Sequence, residues 1–360
     1  MSPRQMKVVV TGASGNVGTA LLRALSGDRC DIVGIARRIP EIACEPYAAA
    51  RWVRCDVGAA DAVEILRAAF AGADVLVHLA WAIHPRRDDP PMRRTNLDGS
   101  TNVLRAAAQT GVPHIIAASS VAAYTPAGRW DRVSEEWTLS GVPGSAYSLG
   151  KVELEKQLDS FAVSRPSVRV ARVRPCGIVQ AEASAELADW ILPPWLPRGI
   201  LGRSLLPVPV WPGFRLQVIH SADVAAAIRL IMRHQAAGAF NLAAEPLLRA
   251  DTIADTFGGP GLPMPRRALG AAAWFGWRTG IQPLHPAWLV LADRACLVDT
   301  ANARRDLGWT PRLRADEVCA DLVEALRAGK AGHSPPLAPA RSRIRVGRPS
   351  HQSQCPAPQV

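Results

Sequence analysis

A glycine-rich run near the start of the chain constrains its fold more than any other feature. An apolar stretch at residues 7–10 breaks into TGASGNVG at residues 11–18, and a leucine-rich helical segment follows. Gly12 permits a tight turn, Gly15 lets the backbone approach a pyrophosphate, and Gly18 allows close packing of a helix whose N-terminus faces the phosphates. Because strand, turn and helix follow in the required order, the run predicts a dinucleotide site. The expected contacts are Gly12, Gly15, Asn16, Val17 and Gly18.

Strand and helix signals alternate through the first half of the chain. Short buried strands are predicted at residues 32–36, 53–55, 74–79, 114–118 and 168–173, and helices at residues 61–70, 94–109 and 147–161. This alternation is typical of an α/β fold with a Rossmann-like, doubly wound parallel sheet. Ligands bind such sheets beyond the carboxyl ends of the strands, where Ser119 and Ser120 would lie.

The segment YSLGK places Tyr147 and Lys151 four residues apart, on one face of a predicted helix. A free tyrosine titrates near ~10, and a neighbouring cation lowers that pKa and stabilises the phenolate. The Ser120 hydroxyl could then polarise a substrate carbonyl. An ordinary exposed Tyr and Lys on an amphipathic helix would show the same spacing, so the functional interpretation depends on the surrounding motifs.

These motifs together resemble the extended short-chain dehydrogenase/reductase family, of the NAD-dependent epimerase/dehydratase type. The resemblance runs from about residue 7 to residue 326. Its markers stand in order: TGASGNVG, CDV at 55–57, HLA at 78–80, NLDGSTNVLRAA at 96–107, SSVAAY at 119–124, YSLGK at 147–151, RVRP at 172–175, VIHSADVA at 218–225 and ARRDLGWTP at 303–311.

The resemblance implies roles for individual residues. Ser120, Tyr147 and Lys151 would be catalytic, with Tyr147 moving the hydroxyl proton and Lys151 also holding the nicotinamide ribose. Asp56 and Val57 would contact the adenine, and Ala80 would line the nicotinamide side. Asn96 would brace the active site, and Leu79 and Pro175 complete the expected cofactor contacts.

The end of the second predicted strand bears on cofactor choice. Relatives that prefer NAD carry an acidic residue there for the ribose hydroxyls, whereas this chain has Ala36 followed by Arg37 and Arg38. No carboxylate repels a 2′-phosphate, and a guanidinium can pair with it. We therefore expect NADP, with NAD as the alternative if both arginines are merely solvated.

Missing residues narrow the reaction type. Ser120-Val121-Ala122 stands where sugar-nucleotide dehydratases of the family carry Thr-Asp-Glu, and it lacks the cysteine of reductive epimerases. Hydride transfer at a secondary alcohol or ketone, or an epimerase-like oxidation and re-reduction, remains. A non-catalytic NAD(P)-sensing regulator on the same fold is the alternative. The substrate is expected to be a small molecule, either lipophilic or a nucleotide sugar, and Arg198, Arg203 and Arg215 are scattered candidates for a diphosphate clamp.

The composition changes in the second half of the chain. Seven of the eleven tryptophans lie at or beyond Trp190. Either these rings form a lipophilic pocket, or they hold a small subdomain together, or they form a hydrophobic surface for membrane contact or dimerisation. We expect residues 1–178 and 218–245 to form the nucleotide-binding domain, residues 179–217 and 246–327 the substrate-binding part, and residues 328–360 a disordered basic tail.

Charge and cysteine content complete the expectations. The net charge is +11, and the tail carries five of the basic residues and no acid, which argues against a specific nucleic-acid surface on the folded part. The seven cysteines show neither metal-ligand spacing nor a CxxC pair, which favours free thiols in a reducing cytoplasm. We expect no metal, no transmembrane segment and no signal peptide, and we leave a homodimer open.

Overall fold

Short apolar and β-branched runs form the strands of the chain. The computed structural model describes residues 4–84, 90–203 and 207–339. In chain order the strands are β1 Met6–Thr11, β2 Cys30–Ala36, β3 Ala50–Arg54, β4 Val75–His78, β5 His114–Ala118, β6 Arg132–Val133, β7 Arg169–Pro175, β8 Gly177–Val179, β9 Val208–Val210, β10 Arg215–Leu216, β11 Val218–His220, β12 Gly238–Leu242, β13 Leu248–Arg249, β14 Gly261–Pro263 and β15 Leu297–Val298.

Helices alternate with the early strands and dominate the C-terminal half. They are α1 Asn16–Leu25, α2 Ala62–Phe70, α3 Pro90–Arg93, α4 Gly99–Thr110, α5 Ala146–Ser164, α6 Ser184–Ile191, α7 Ser221–His234, α8 Ala250–Phe257, α9 Arg266–Arg278, α10 Ala287–Arg294, α11 Ala301–Leu307 and α12 Ala315–Ala328. A π-helical turn, Arg94–Asp98, joins α3 to α4, so the helix predicted at residues 94–109 begins with a wider turn.

Seven parallel strands form the central sheet in the order β12-β7-β5-β4-β1-β2-β3. The predicted α/β, Rossmann-like doubly wound fold is therefore confirmed. Each of the five predicted strands lies within three residues of an observed one, and β12 joins the sheet from much later in the chain. Its pairing with β7 brings residues 238–242 back to the nucleotide-binding domain.

Both faces of the sheet are buried, and β1 shows how the sequence achieves this. Val8 and Val10 lie in one hydrophobic core, whereas Val9 between them lies in the other. Successive side chains of a strand point to opposite faces, so a continuous apolar run suits a strand covered by helices on both sides. Helices α1 and α7 pack against each other beside one core, and α2 packs against α4 beside the other.

Part of the segment expected to belong to the substrate-binding part packs against the central sheet instead. Ala303 and Leu307 of α11 lie in the same core as β1, and α11 contacts α7 and β12. The buried Trp309 indole donates a hydrogen bond to the Asp223 carbonyl, at 3.0 Å. Sequence composition could not show this return because the contact joins residues far apart in the chain.

The predicted beginning of the tail is wrong for residues 328–339, which are packed on the fold. Leu337 is fully buried, the Ser334 hydroxyl donates to the Ser14 carbonyl at 2.7 Å, and the Ser184 hydroxyl donates to the Lys330 carbonyl at 2.6 Å. The buried leucine and these bonds attach the segment to the fold. The rest of the predicted tail, residues 340–360, lies outside the described residues.

In the parts of the chain that the structure describes, no helix is both long enough and apolar enough to span a membrane. Five cysteines are free thiols: Cys30, Cys55, Cys176, Cys296 and Cys319. Cys44 is buried.

Candidate active site

The candidate site lies where three neighbouring central strands end. In the register of the sheet Thr11 of β1 pairs with His78 of β4, and His78 pairs with Ala117 of β5. The glycine-rich loop, the segment Leu79-Ala80-Trp81 and the pair Ser119-Ser120 therefore leave the sheet side by side. Parallel strands present their carboxyl ends at one edge, which is where open α/β sheets bind ligands.

The glycine-rich loop is built to approach other backbone closely. Gly12 has φ +70°, and a Cβ there would lie 2.7 Å from the Ala80 nitrogen. A Cβ on Gly18 would lie 2.4 Å from the Gly12 carbonyl oxygen. Both positions therefore require glycine, as the sequence predicts.

Helix α1 begins directly after this loop and presents its first-turn amides. Gly15 is the N-cap and provides no side-chain cap, so the amides of Asn16, Val17 and Gly18 have no acceptor within the helix. The Asn16 Oδ1 atom is buried without a hydrogen-bond partner among the described residues. The loop and the helix end together fit the pyrophosphate of a dinucleotide.

Helix α5 positions Tyr147 and Lys151 beside Ser120. The N-cap Ser145 accepts a hydrogen bond from the Ser148 amide at 3.3 Å, and the Ser148 hydroxyl donates to the Ala122 carbonyl at 2.6 Å. These bonds attach the first turn of α5 to the loop that carries Ser120. The Ser120 hydroxyl accepts from the Ala122 amide at 3.1 Å and lies close enough to Tyr147 to influence the pKa of its phenol. The structure thus brings Ser120, Tyr147 and Lys151 together.

The electrostatics of Tyr147 differ from the expectation. Burial raises the pKa of the Tyr147 phenol, and the nearby Ser120 hydroxyl opposes that rise. The expected net lowering of the Tyr147 pKa by Lys151 is therefore not observed. The lysine Nζ instead lies 5.9 Å from the centroid of the Tyr147 ring. Tyr147 is therefore a neutral phenol at neutral pH, able to donate a proton.

Lys151 is buried on the sheet side of the same helix. Its Nζ donates to the Ala118 carbonyl at 2.8 Å and lies 3.5 Å from the centroid of the Trp81 ring. Burial lowers the pKa of Lys151 to about 7, although the Glu155 carboxylate opposes this shift. The ammonium thus loses its proton close to neutral pH.

A buried ion pair supports the helix one turn beyond Lys151. Arg174 of β7 donates from Nε and Nη2 to the two carboxylate oxygens of Glu155, at 2.8 and 3.1 Å. Arg174 also donates to the Tyr124 hydroxyl at 2.9 Å. Burial opposes the ionised form of Glu155, but the bonds from Arg174 outweigh it and hold the pKa of Glu155 below its ordinary value. This network fixes α5 against the centre of the sheet.

Sequence reasoning did not single out His78, which links two strand ends. Its ring nitrogens lie 2.7 Å from the Thr11 hydroxyl and 2.9 Å from the Ser100 hydroxyl. Burial and, to a smaller extent, the charge of Lys151 lower the pKa of His78 to about 3, so the ring is neutral. The motif HLA marked this histidine, but its bonding partners are distant in sequence.

Two tryptophans that had no assigned role enclose Tyr147. Its ring lies 6.5 Å from Trp81, edge to face, and 5.3 Å from Trp288 of α10, measured between centroids. The indole Nε1 of Trp81 is buried, with no partner in the portion of the chain that is described. The number of tryptophans in the sequence was the only signal for this aromatic enclosure. It is not specific, because Trp211 and Trp309 are buried elsewhere and donate hydrogen bonds to Asp293 and Asp223.

The predicted adenine and ribose contacts lie at the ends of β2 and β3. Asp56 accepts from Arg94 at 2.8 Å and from the Gly58 amide at 3.1 Å. Burial would raise the pKa of Asp56, but these bonds and the charges of Arg94 and Arg37 hold it below its ordinary value. Arg37 is exposed, and its charge is one of those that lower the pKa of Asp56.

Further residues predicted to contact the cofactor lie after β4 and at the end of β7. The Asn96 amide donates to the Ala82 carbonyl at 2.9 Å and accepts from the Ala82 amide at 2.6 Å, which holds the segment after β4 in place. Leu79 and Ala80 begin that segment, and the Leu79 amide donates to the Thr11 carbonyl at 3.0 Å. Val57 is buried behind the end of β3, and Pro175 ends β7.

Comparison with known proteins agrees with this geometry. Residues 8–243 match the model of the NAD dependent epimerase/dehydratase family. The chain is 29% identical over 336 residues to an uncharacterized protein of Mycobacterium tuberculosis. The matched region covers 91% of this chain but only 31% of that protein. The chain thus spans about a third of that relative's length. It is also 26% identical over 192 residues to 4-hydroxy-2-methyl-3-oxo-4-farnesyl-3,4-dihydroquinoline-1-oxide ketoreductase of Stigmatella aurantiaca, which covers 52% of this chain and 54% of that protein.

Among solved structures, the fold is similar to UDP-glucose-4-epimerase from Stenotrophomonas maltophila with bound NAD and formylated UDP-arabinopyranose. The TM-score is 0.69 at 20% identity, and the match covers 90% of this chain and 99% of that one. At this identity the likeness concerns the fold. The family model covers well over half of the chain. The chain therefore belongs to the NAD dependent epimerase/dehydratase family.

Proposed function

We propose that the protein is an NADP-linked oxidoreductase that transfers a hydride at a secondary alcohol or ketone of a lipophilic small molecule. One observation carries this proposal. Ser120, directly after β5, lies close to the neutral phenol of Tyr147 on α5, beside a glycine-rich loop that fits a dinucleotide. A carbonyl oxygen placed between them would receive one hydrogen bond from each.

The roles follow from this geometry. A bound reduced nicotinamide supplies the hydride. Tyr147 donates its phenolic proton to the carbonyl oxygen, and Ser120 holds that oxygen in place. In the protonated state Lys151 stabilises the negative charge that remains on Tyr147. It can reach the nicotinamide ribose from the helix face that it shares with Tyr147.

The dinucleotide site has residues for each part of the cofactor. The pyrophosphate would lie on Gly12, Gly15, Asn16, Val17 and Gly18, and the adenine near Asp56 and Val57. Leu79, Ala80, Asn96 and Pro175 would surround the nicotinamide. Exposed Arg37 supports NADP because it can pair with a 2′-phosphate and no carboxylate follows Ala36 directly.

The surroundings of Tyr147 favour a lipophilic substrate over a nucleotide sugar. Trp81 and Trp288 present aromatic surface on either side of the phenol. Of the candidate diphosphate ligands, Arg215 is buried and donates to the carbonyls of Arg129, Asp293 and Ala295. Its guanidinium is therefore used inside the protein. The Stigmatella relative, named as a ketoreductase of a farnesylated quinoline, supports the same substrate class.

Product analysis with both cofactors tests the proposal. The full chain would be incubated with NADPH or NADH and a panel of cyclic and aryl ketones, prenylated ketones and sterol ketones, and separately with UDP-glucose and UDP-glucuronic acid. We expect alcohol formation with NADPH from at least one lipophilic ketone and no change in the UDP-sugars. Interconversion of UDP-sugar epimers without ketone reduction would contradict the proposal, and so would cofactor binding with no reaction, which would indicate the sensing regulator.

A further inference from the structure

We propose that helix α9 docks on an anionic lipid surface. Its outer side carries five exposed apolar residues, Ala268, Ala271, Ala272, Trp274 and Phe275, which we call the α9 face. Spacings of three and four residues place these side chains on one side of a helix. Gly276 is the one buried residue of α9 in the described part of the chain, so the helix lies on the surface of the protein.

Two large rings dominate the α9 face. Trp274 is 56% exposed and Phe275 is 59% exposed, in consecutive positions. The patch continues past the end of the helix, where Ile281 is exposed and its carbonyl accepts a hydrogen bond from the exposed Trp195 indole at 2.9 Å. Clustered exposed aromatic rings mark an interaction site more often than isolated ones do.

The charges around the α9 face indicate which partner it fits. Residues 256–292 contain three arginines and no acidic residue. Arg266 is paired with the buried carboxylate of Asp293, at 3.2 Å. Arg267 and Arg278 are exposed at the two ends of the helix. An apolar face with aromatic rings and flanking arginines is typical of helices that lie in the interface of an anionic membrane.

The same charges argue against a second copy of the chain as the occupant. In a two-fold symmetric interface a patch meets itself, so the arginines of one α9 face would approach those of its partner without acidic residues between them. Lipid phosphates supply the missing negative charge. Helix α9 is about 20 Å long, enough to lay both rings and both arginines on one surface.

Vesicle sedimentation tests this inference independently of any catalytic activity. The full chain would be mixed with vesicles of phosphatidylcholine alone and of phosphatidylcholine with phosphatidylglycerol, at low and high salt. We expect binding to the anionic vesicles only, weakened by salt. Trp274→Ala with Phe275→Ala should lower the partition coefficient roughly tenfold or more. Arg267→Gln with Arg278→Gln should lower it about fivefold for each arginine.

Matched control variants test whether lipid binding depends on the α9 face itself or on any exposed apolar or charged side chain. Ile42→Ala with Val163→Ala removes exposed apolar side chains elsewhere, and Arg67→Gln with Arg327→Gln removes exposed charges on other helices. Both control proteins should bind as the unmodified protein does, and thermal melting should show that every variant is folded.

Three results would overturn the inference. The first is unchanged lipid binding by the Trp274 and Phe275 variant. The second is loss of all binding when residues 340–360 alone are removed, which would assign the contact to the basic tail. The third combines two observations. Sedimentation velocity would show that the unmodified protein is a dimer and that the Trp274 and Phe275 variant is a monomer, and the unmodified protein would not bind anionic vesicles.

Discussion

The Lys151 ammonium lies 3.5 Å from the centroid of the Trp81 ring. The face of an indole attracts a cation, whereas the burial of Lys151 lowers its pKa to about 7. These two effects act in opposite directions on the same proton. The charge beside Tyr147 at neutral pH therefore depends on Trp81, a residue outside the YSLGK motif.

A pH dependence follows from this relationship. Below the pKa Lys151 is cationic, and above it the lysine is neutral and no longer stabilises charge on Tyr147. We expect kcat/KM to fall as the pH rises through about 7, since kcat/KM reports the free enzyme. Trp81→Leu should move this fall to lower pH by up to about one pH unit because a cation–π contact is lost. Trp130→Leu, at an exposed indole, is the control, and identical profiles for all three proteins would contradict the account.

We expect the cofactor preference to depend on Arg37. We expect the unmodified protein to bind NADPH more tightly than NADH, and Arg37→Ala to lose about tenfold to a hundredfold in NADPH affinity, as expected for a charge-assisted hydrogen bond. NADH affinity should stay nearly constant. Arg51→Ala, which removes an exposed arginine paired with Asp31, is the control. Fluorescence titration measures both constants, and equal affinities of the unmodified protein for the two cofactors would refute the preference.

The buried pair of Glu155 and Arg174 should be important for stability. Glu155→Gln leaves the Arg174 charge buried without its partner, which typically costs about 3 to 5 kcal/mol in the free energy of unfolding. Glu153→Gln, two residues earlier, removes an exposed carboxylate paired with Lys156 and should cost less than about 1 kcal/mol. Urea unfolding of both variants provides the comparison. Similar small losses would show that the pair is not important for stability.

The sequence predicted the sheet well because its signals are local. Continuous apolar runs such as residues 7–10 mark buried parallel strands, and the glycine-rich loop identifies the dinucleotide end of β1. Tyr147, Lys151 and Ser120 were also predictable, since motif spacing places them on one helix face and one strand end. Their pKa values were not, because burial and the ring of Trp81 come from other elements. The enclosure by Trp288 and the return of α11 depend on contacts between residues distant in sequence.

Two truncations test the packing of residues 330–339. Removing residues 340–360 should leave thermal stability and cofactor affinity unchanged. Removing residues 330–360 should lower the free energy of unfolding by about 2 kcal/mol through the loss of buried Leu337. It should also weaken NADPH binding because the Ser334 hydroxyl no longer holds the Ser14 carbonyl of the glycine-rich loop. If the two truncated proteins had equal stability and equal NADPH affinity, residues 330–339 would contribute neither to folding stability nor to cofactor binding.

The central claim is that Tyr147 transfers the proton at a site that also binds the dinucleotide. The most direct test is turnover and NADPH affinity of Tyr147→Phe, measured with a substrate found in the ketone panel. We expect turnover to fall about 10² to 10⁴-fold, the usual loss of a general acid, while the NADPH dissociation constant changes little. Near-normal turnover by Tyr147→Phe would contradict the assignment of the active site.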